Sequence, residues 1–134
     1  MKKKFKKLLN FMPLILIIIL VLWYKSPING IKYDPKNVNK INITHNGNSI
    51  VITNTNDIYF IIKSLNSISL NKSIPKMKQS KYGYDINIHY SSASMFNNLT
   101  IYSSETASIG NFYYTDKNNI LPYEYIKNIF YNKK

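Results

Sequence analysis

The spacing of apolar positions changes along this chain, and each change marks a different element. Leu8 to Tyr24 is apolar apart from Asn10 and Pro13, and Leu14 to Trp23 is unbroken. A run with no polar face predicts a helix whose whole surface avoids water. Ser26 to Asn37, with Pro27, Gly30 and Pro35, has no periodicity and reads as a spacer. Ile41 and Ile43 then alternate with Asn42 and Thr44, and Ile50 and Ile52 resume the alternation after His45-Asn46-Gly47-Asn48. Period two predicts half-buried strands. Asn-Gly tolerates the positive φ that a two-residue hairpin turn needs, so the pair reads as a β-hairpin.

The period then changes to that of a helix. Ile58, Ile61, Ile62 and Leu65 fall at i, i+3, i+4 and i+7, which predicts a helix over Asp57 to Asn66. Ser67 to Tyr82, with Pro75 and four lysines, reads as a long loop. Ile86, Ile88 and Tyr90 alternate with Asp85, Asn87 and His89 as a strand, and a turn through Ser91 to Asn98 leads to a second at Leu99 to Tyr102. Ile109 to Thr115 reads as one further aromatic-rich strand, and Asp116 to Asn119 as a turn. A closing helix opens at Leu121-Pro122, where proline's missing N–H costs nothing, and Ile126, Ile129 and Phe130 form its stripe. The predicted fold class is α+β: an N-terminal transmembrane helix, then a small antiparallel-sheet domain in the order β-β-α-β-β-β-α.

Charge sharpens the reading of the first segment. Lys2, Lys3, Lys4, Lys6 and Lys7 precede the apolar run, and Trp23 and Tyr24 end it where an interfacial aromatic belt would sit. Seventeen helical residues reach about 25 Å, near the lower limit for a hydrocarbon core of about 30 Å. A cleaved secretory signal has the same layout, but Trp23-Tyr24-Lys25-Ser26-Pro27 is a poor cleavage site. A buried soluble helix would not be apolar on every face. The favoured reading is an uncleaved single-pass anchor in the cell membrane. The division is residues 1–7 as a basic cytoplasmic tail, 8–24 as a transmembrane signal-anchor, 25–37 as a linker and 38–134 as an extracytoplasmic α+β domain. The N-terminal lysines place the tail in the cytoplasm.

Composition removes several function classes. Of 134 residues none is cysteine, which excludes disulfides, thiolate metal sites and cysteine nucleophiles. The formal charge is +12, from 18 basic and 6 acidic residues. Six of the lysines lie within residues 1–25, so half the excess sits in the first fifth of the chain. Every basic residue is lysine. Arginine, which makes the bidentate guanine and phosphate contacts, is absent, so no nucleic-acid partner is expected.

Candidate chemistry is sparse. The six acids are scattered, and no nucleophile elbow, phosphate loop or HExxH occurs. The sharpest constellation is Asp85, Asn87 and His89 on one strand face, with His45 near enough to complete a metal site if the hairpin packs alongside. The plainer reading is a solvated strand face. Tyr82, Tyr84, Tyr113, Tyr114, Tyr123 and Tyr125 offer either a stacking platform for a glycan or peptide, or ordinary core packing. Lys72, Lys76, Lys78 and Lys81 are either a binder of anionic headgroups or wall polymer, or a solvated loop. The plainer readings are favoured, so no residue is assigned as catalytic, cofactor-binding or metal-ligating, and no cofactor or enzymatic activity is expected. Asn42-Ile43-Thr44, Asn71-Lys72-Ser73 and Asn98-Leu99-Thr100 match the N-glycosylation pattern, as a chain with 19 asparagines does by chance.

Val38-Asn39-Lys40-Ile41-Asn42-Ile43, Asn56-Asp57-Ile58 leading into Ile61 to Leu65, Tyr84 to Ile88, and Phe112-Tyr113-Tyr114 resemble the small membrane-anchored domains of unknown function of low-GC spore-forming bacteria. The resemblance spans about Val38 to Tyr131. It implies an exported domain and carries over no site residues. The expected function is a non-catalytic binding module at the cell envelope, with the membrane, an envelope protein or an anionic polymer as partner. The alternatives are a metal-dependent or hydrolytic envelope enzyme, or a binder of anionic wall polymer through the loop lysines.

Overall fold

The computed structural model describes residues 2–74, 83–90, 99–118 and 120–133, with side chains for 11–74, 83–87, 99–118 and 120–133. In chain order the elements are α1 (Lys2–Lys25), β1 (Ile28–Asn29), a 3-10 turn (Pro35–Asn37), β2 (Val38–His45), β3 (Asn48–Ile52), α2 (Thr55–Ser67), β4 (Ser69–Ser73), β5 (Tyr84–Tyr90), β6 (Leu99–Ile101), β7 (Thr106–Ile109), β8 (Phe112–Asp116) and α3 (Tyr123–Asn132). The strands form one eight-stranded sheet in the order β1-β4-β8-β7-β6-β5-β2-β3, antiparallel at every pairing.

Pairing registers carry one apolar face across the sheet. Ile43 lies opposite Ile50 and Ile86, Ile86 opposite Leu99, Leu99 opposite Ile109, and Ile109 opposite Phe112. The next row runs Tyr84, Ile101, Ala107, Tyr114 and Lys72. Helices α2 and α3 cover this face with Ile58, Ile61, Ile62, Leu65, Ile126 and Phe130, all buried. The opposite face carries Thr44, Asp85, Asn87 and Thr100, exposed or half-buried. Each side chain's face follows from strand alternation, and burying the apolar one is the main source of stability.

The α+β class and the antiparallel sheet match the sequence reading, but the transmembrane helix does not. Helix α1 forms, yet among the described residues no helix is long and apolar enough to cross a membrane. Lysines and Asn10 occupy its first turns, and Pro13 lies within it and divides its apolar residues. The unbroken stretch Leu14 to Trp23 then reaches only about 15 Å at 1.5 Å per residue, half a hydrocarbon core.

The predicted element order is also short of strands. The stretch read as a spacer contributes β1 at the sheet edge and buries Ile31 and Tyr33. The Ser67 to Tyr82 loop contains β4 up to Ser73; residues 75–82, like the turn through Ser91 to Asn98, lie outside the described residues. The single strand placed at Ile109 to Thr115 is a hairpin, β7 and β8, folded through Gly110 (φ 58°) and Asn111. Glycine takes the positive φ of the first turn position without strain.

Two capping arrangements lock α2. The Asn54 carboxamide accepts from the backbone N–H groups of Asn56 and Asp57 at 2.9 and 3.2 Å, filling donors that a helix start leaves open. At the other end, residues 30–33 supply what a glycine cap supplies elsewhere. Ile31 N–H donates to the Leu65 carbonyl at 3.2 Å, and Gly30 N–H to that of Ile68 at 2.8 Å. Asn66 pairs with the Tyr33 backbone in both directions, accepting at 3.0 Å and donating at 2.6 Å.

Candidate functional site

The polar constellation singled out in the sequence is split between the two faces of the sheet. Thr44 pairs with Asp85, Asn42 with Asn87 and Lys40 with His89, so these positions share the open face. His45 follows Thr44 and therefore points to the core face. There its ring stacks on Tyr84 at 4.2 Å and meets the edge of Phe130 at 5.6 Å. Nδ1 lies 3.1 Å from the Gly83 carbonyl and Nε2 3.1 Å from the Asn46 amide nitrogen. Both ring nitrogens therefore have hydrogen-bond partners within the protein. The His89 side chain lies outside the described residues. Asp85 accepts a 2.6 Å hydrogen bond from Thr100 in a shallow depression of about 260 Å³ shared with Asn87. No group of three His, Cys, Asp or Glu side chains suited to a metal occurs among the described residues.

The tyrosines do not form one platform either. Tyr84 and Tyr114 are in the core, and burial raises both hydroxyls above the ordinary value of 10.0, Tyr84 further through the neighbouring Tyr131 hydroxyl. Tyr125 donates to Asp57 at 2.8 Å and stacks on Phe60, tying α3 to α2; burial first, then Asp57, raises it as well. Tyr113 lies on the open face, stacked against Tyr102, whose neighbouring hydroxyl raises its pKa. Tyr82 is outside the described residues, as are Lys76, Lys78 and Lys81.

What remains among the described residues is an extended apolar surface on α1. From Phe11 to Tyr24 every large apolar side chain of α1 is between 47% and 62% exposed, on all sides of the helix. Isolated apolar residues at a surface are ordinary, but a contiguous patch this large marks a contact surface.

The end of this helix is fastened to the sheet. Pro27 cannot continue the helix, and the last carbonyls find partners. The Leu22 carbonyl accepts from the Ser26 N–H and hydroxyl at 3.0 and 2.9 Å. The Trp23 carbonyl accepts from the Lys72 ammonium at 3.0 Å, and the same ammonium lies 3.5 Å from the centre of the Trp23 ring. Trp23 in turn meets Phe112 edge-on at 6.3 Å. Lys72 is the one loop lysine whose position is described, and it sits on β4, paired opposite Tyr114.

The sequence reading missed Phe112 and the Lys72 contact. The available signal was Gly110-Asn111 between two short apolar-alternating runs, which marks a hairpin and puts Phe112 first in its strand. Comparison with protein-family models, with curated proteins and with solved structures finds no match to this chain.

Proposed function

We propose that this protein is a non-catalytic binding module of the cell envelope, held at an anionic lipid surface by α1. One observation carries the reading: the unbroken exposure of apolar side chains from Phe11 to Tyr24. Water is a poor solvent for that surface. Insertion of its side chains into lipid gains roughly 25 cal/mol for each Å² removed from water. Lys2 to Lys7 precede the apolar stretch in sequence, and lysines near an anionic bilayer add about 1 kcal/mol each. The reading needs insertion into lipid and no crossing of it. The α+β domain then presents its polar sheet face to a partner, and its internally satisfied His45 and dispersed acids fit binding rather than catalysis.

Vesicle flotation of the full chain tests this. At high salt the protein floats with vesicles of phosphatidylcholine and phosphatidylglycerol, and the double substitution Ile17→Lys, Leu20→Lys leaves it in the bottom fraction. Both side chains are exposed, so the domain's melting temperature stays unchanged. Equal flotation of the double variant, or none by the parent chain, would sink the proposal.

A further inference from the structure

We infer that the corner formed by Trp23, Lys72 and Phe112 is a second lipid contact, which docks the sheet domain onto the same bilayer surface that receives α1. The inference rests on the lipid reading above and adds a site on the domain itself. Phe112 belongs to the apolar face of the sheet, in register with Ile109 and Leu99. Leu99 is fully buried beneath the helices, Ile109 is half-buried and Phe112 is 51% exposed. The apolar row therefore emerges at the end of the sheet nearest α1. Ile74, the residue after β4, is 82% exposed.

Geometry ties this corner to the helix. Trp23 ends the apolar run of α1 and lies 6.3 Å from Phe112, so lipid that takes the last turn of the helix also reaches the ring on the sheet. Only Ser26 and Pro27 separate α1 from edge strand β1, and Lys72 holds the Trp23 carbonyl, so the two surfaces keep a fixed relation. An indole with an ammonium over its face is suited to the headgroup layer, where one side is apolar and the other charged. Charge selects the occupant. A second copy seated here would set Lys25 and Lys72 against their own duplicates, whereas an anionic headgroup complements both.

The sole tryptophan makes the site readable. In a Trp23→Phe background, Phe112→Trp places the only indole on the corner. The control Val51→Trp places it on β3, five strands away in sheet order and roughly 24 Å at 4.8 Å per step. Both positions are about half exposed. The probe is vesicles of equal phosphatidylcholine and phosphatidylglycerol, plain or brominated near the glycerol end of the acyl chain. Both variants float with vesicles through the exposed α1 side chains from Phe11 to Leu22, which neither variant alters. The Phe112→Trp indole then shifts to the blue and is quenched by brominated lipid, while the Val51→Trp indole does neither. Flotation with no shift at position 112, or equal shifts at both positions, overturns the corner and leaves the α1 reading standing. A shift at position 112 that depends on protein concentration and not on vesicles overturns it in favour of self-association. Failure of both variants to float removes the α1 reading and the corner with it.

Discussion

At the scale of single residues, Gly30 and Tyr84 carry the most testable physics. Gly30 has a φ of 64°, and a Cβ there would clash with the Asn66 carbonyl oxygen. The left-handed backbone and the backbone clash act together, so Gly30→Ala costs at least ~2 kcal/mol in chemical denaturation. By contrast Gly47→Ala meets no neighbouring atom and carries only the strain of its φ of 76°. Tyr84 gives a pH dependence. Its folded pKa is raised above 10.0, chiefly by burial, so the unfolded chain releases this proton first as pH climbs. The stability linked to Tyr84 is whole below pH 10 and declines above it. Tyr84→Phe removes that decline. Alkaline titration of both proteins by circular dichroism checks this: the variant falls less steeply above pH 10.

At the scale of elements, α2 is the piece on which the fold turns, and its two ends fail differently. Asn54→Ala removes the N-terminal cap for ~1 kcal/mol. Asn66→Leu breaks both hydrogen bonds to the Tyr33 backbone, at ~2 kcal/mol. Amide exchange separates the two: only Asn66→Leu speeds exchange at Tyr33, because only there is segment 30–33 released. The same comparison explains what was legible in the sequence. The β2–β3 hairpin could be read because Asn46 and Gly47 both take positive φ, 49° and 76°, as their residue types prefer. The apolar stripe of α2 could be read because all four of its residues reach the core. Strand β4 could not, since Ser69-Leu70-Asn71-Lys72-Ser73 holds one apolar residue and depends on pairing with β8 rather than on its own pattern. The split of His45 from Asp85 follows from register: once Thr44 lies opposite Asp85, parity sends His45 to the other face. The signal was present in the sequence, since His45 shares the parity of Ile41 and Ile43 whereas Asp85 alternates with Ile86.

At the scale of the whole molecule, charge and apolar surface are concentrated at one end and the folded sheet lies beyond them. Electrostatic attraction to anionic lipid fades as salt shortens the Debye length to ~3 Å at 1 M, while apolar insertion does not. Vesicle binding by the full chain should therefore weaken with added salt and level off above zero. Ile17→Lys with Leu20→Lys should bind weakly at low salt and not at all at high salt. Flotation across a salt series decides it, and complete release of the parent chain at high salt would show that charge alone holds it.

The order of strands also sets the tempo of folding. β2 reaches its inner neighbour β5 only across α2 and β4, and β4 finds β8 only after the intervening strands are made. Only the β2–β3 hairpin, the β5–β6–β7–β8 run and the helices can form from neighbouring sequence. Closing such distant pairs comes before their contacts can reward it, which puts refolding in the slow millisecond-to-second class of β-rich domains. On the ribosome, β2 and β4 each wait with one bare edge for partners not yet translated. The polar composition of Asn39, Lys40, Asn71 and Lys72 keeps those waiting edges from pairing with another nascent chain.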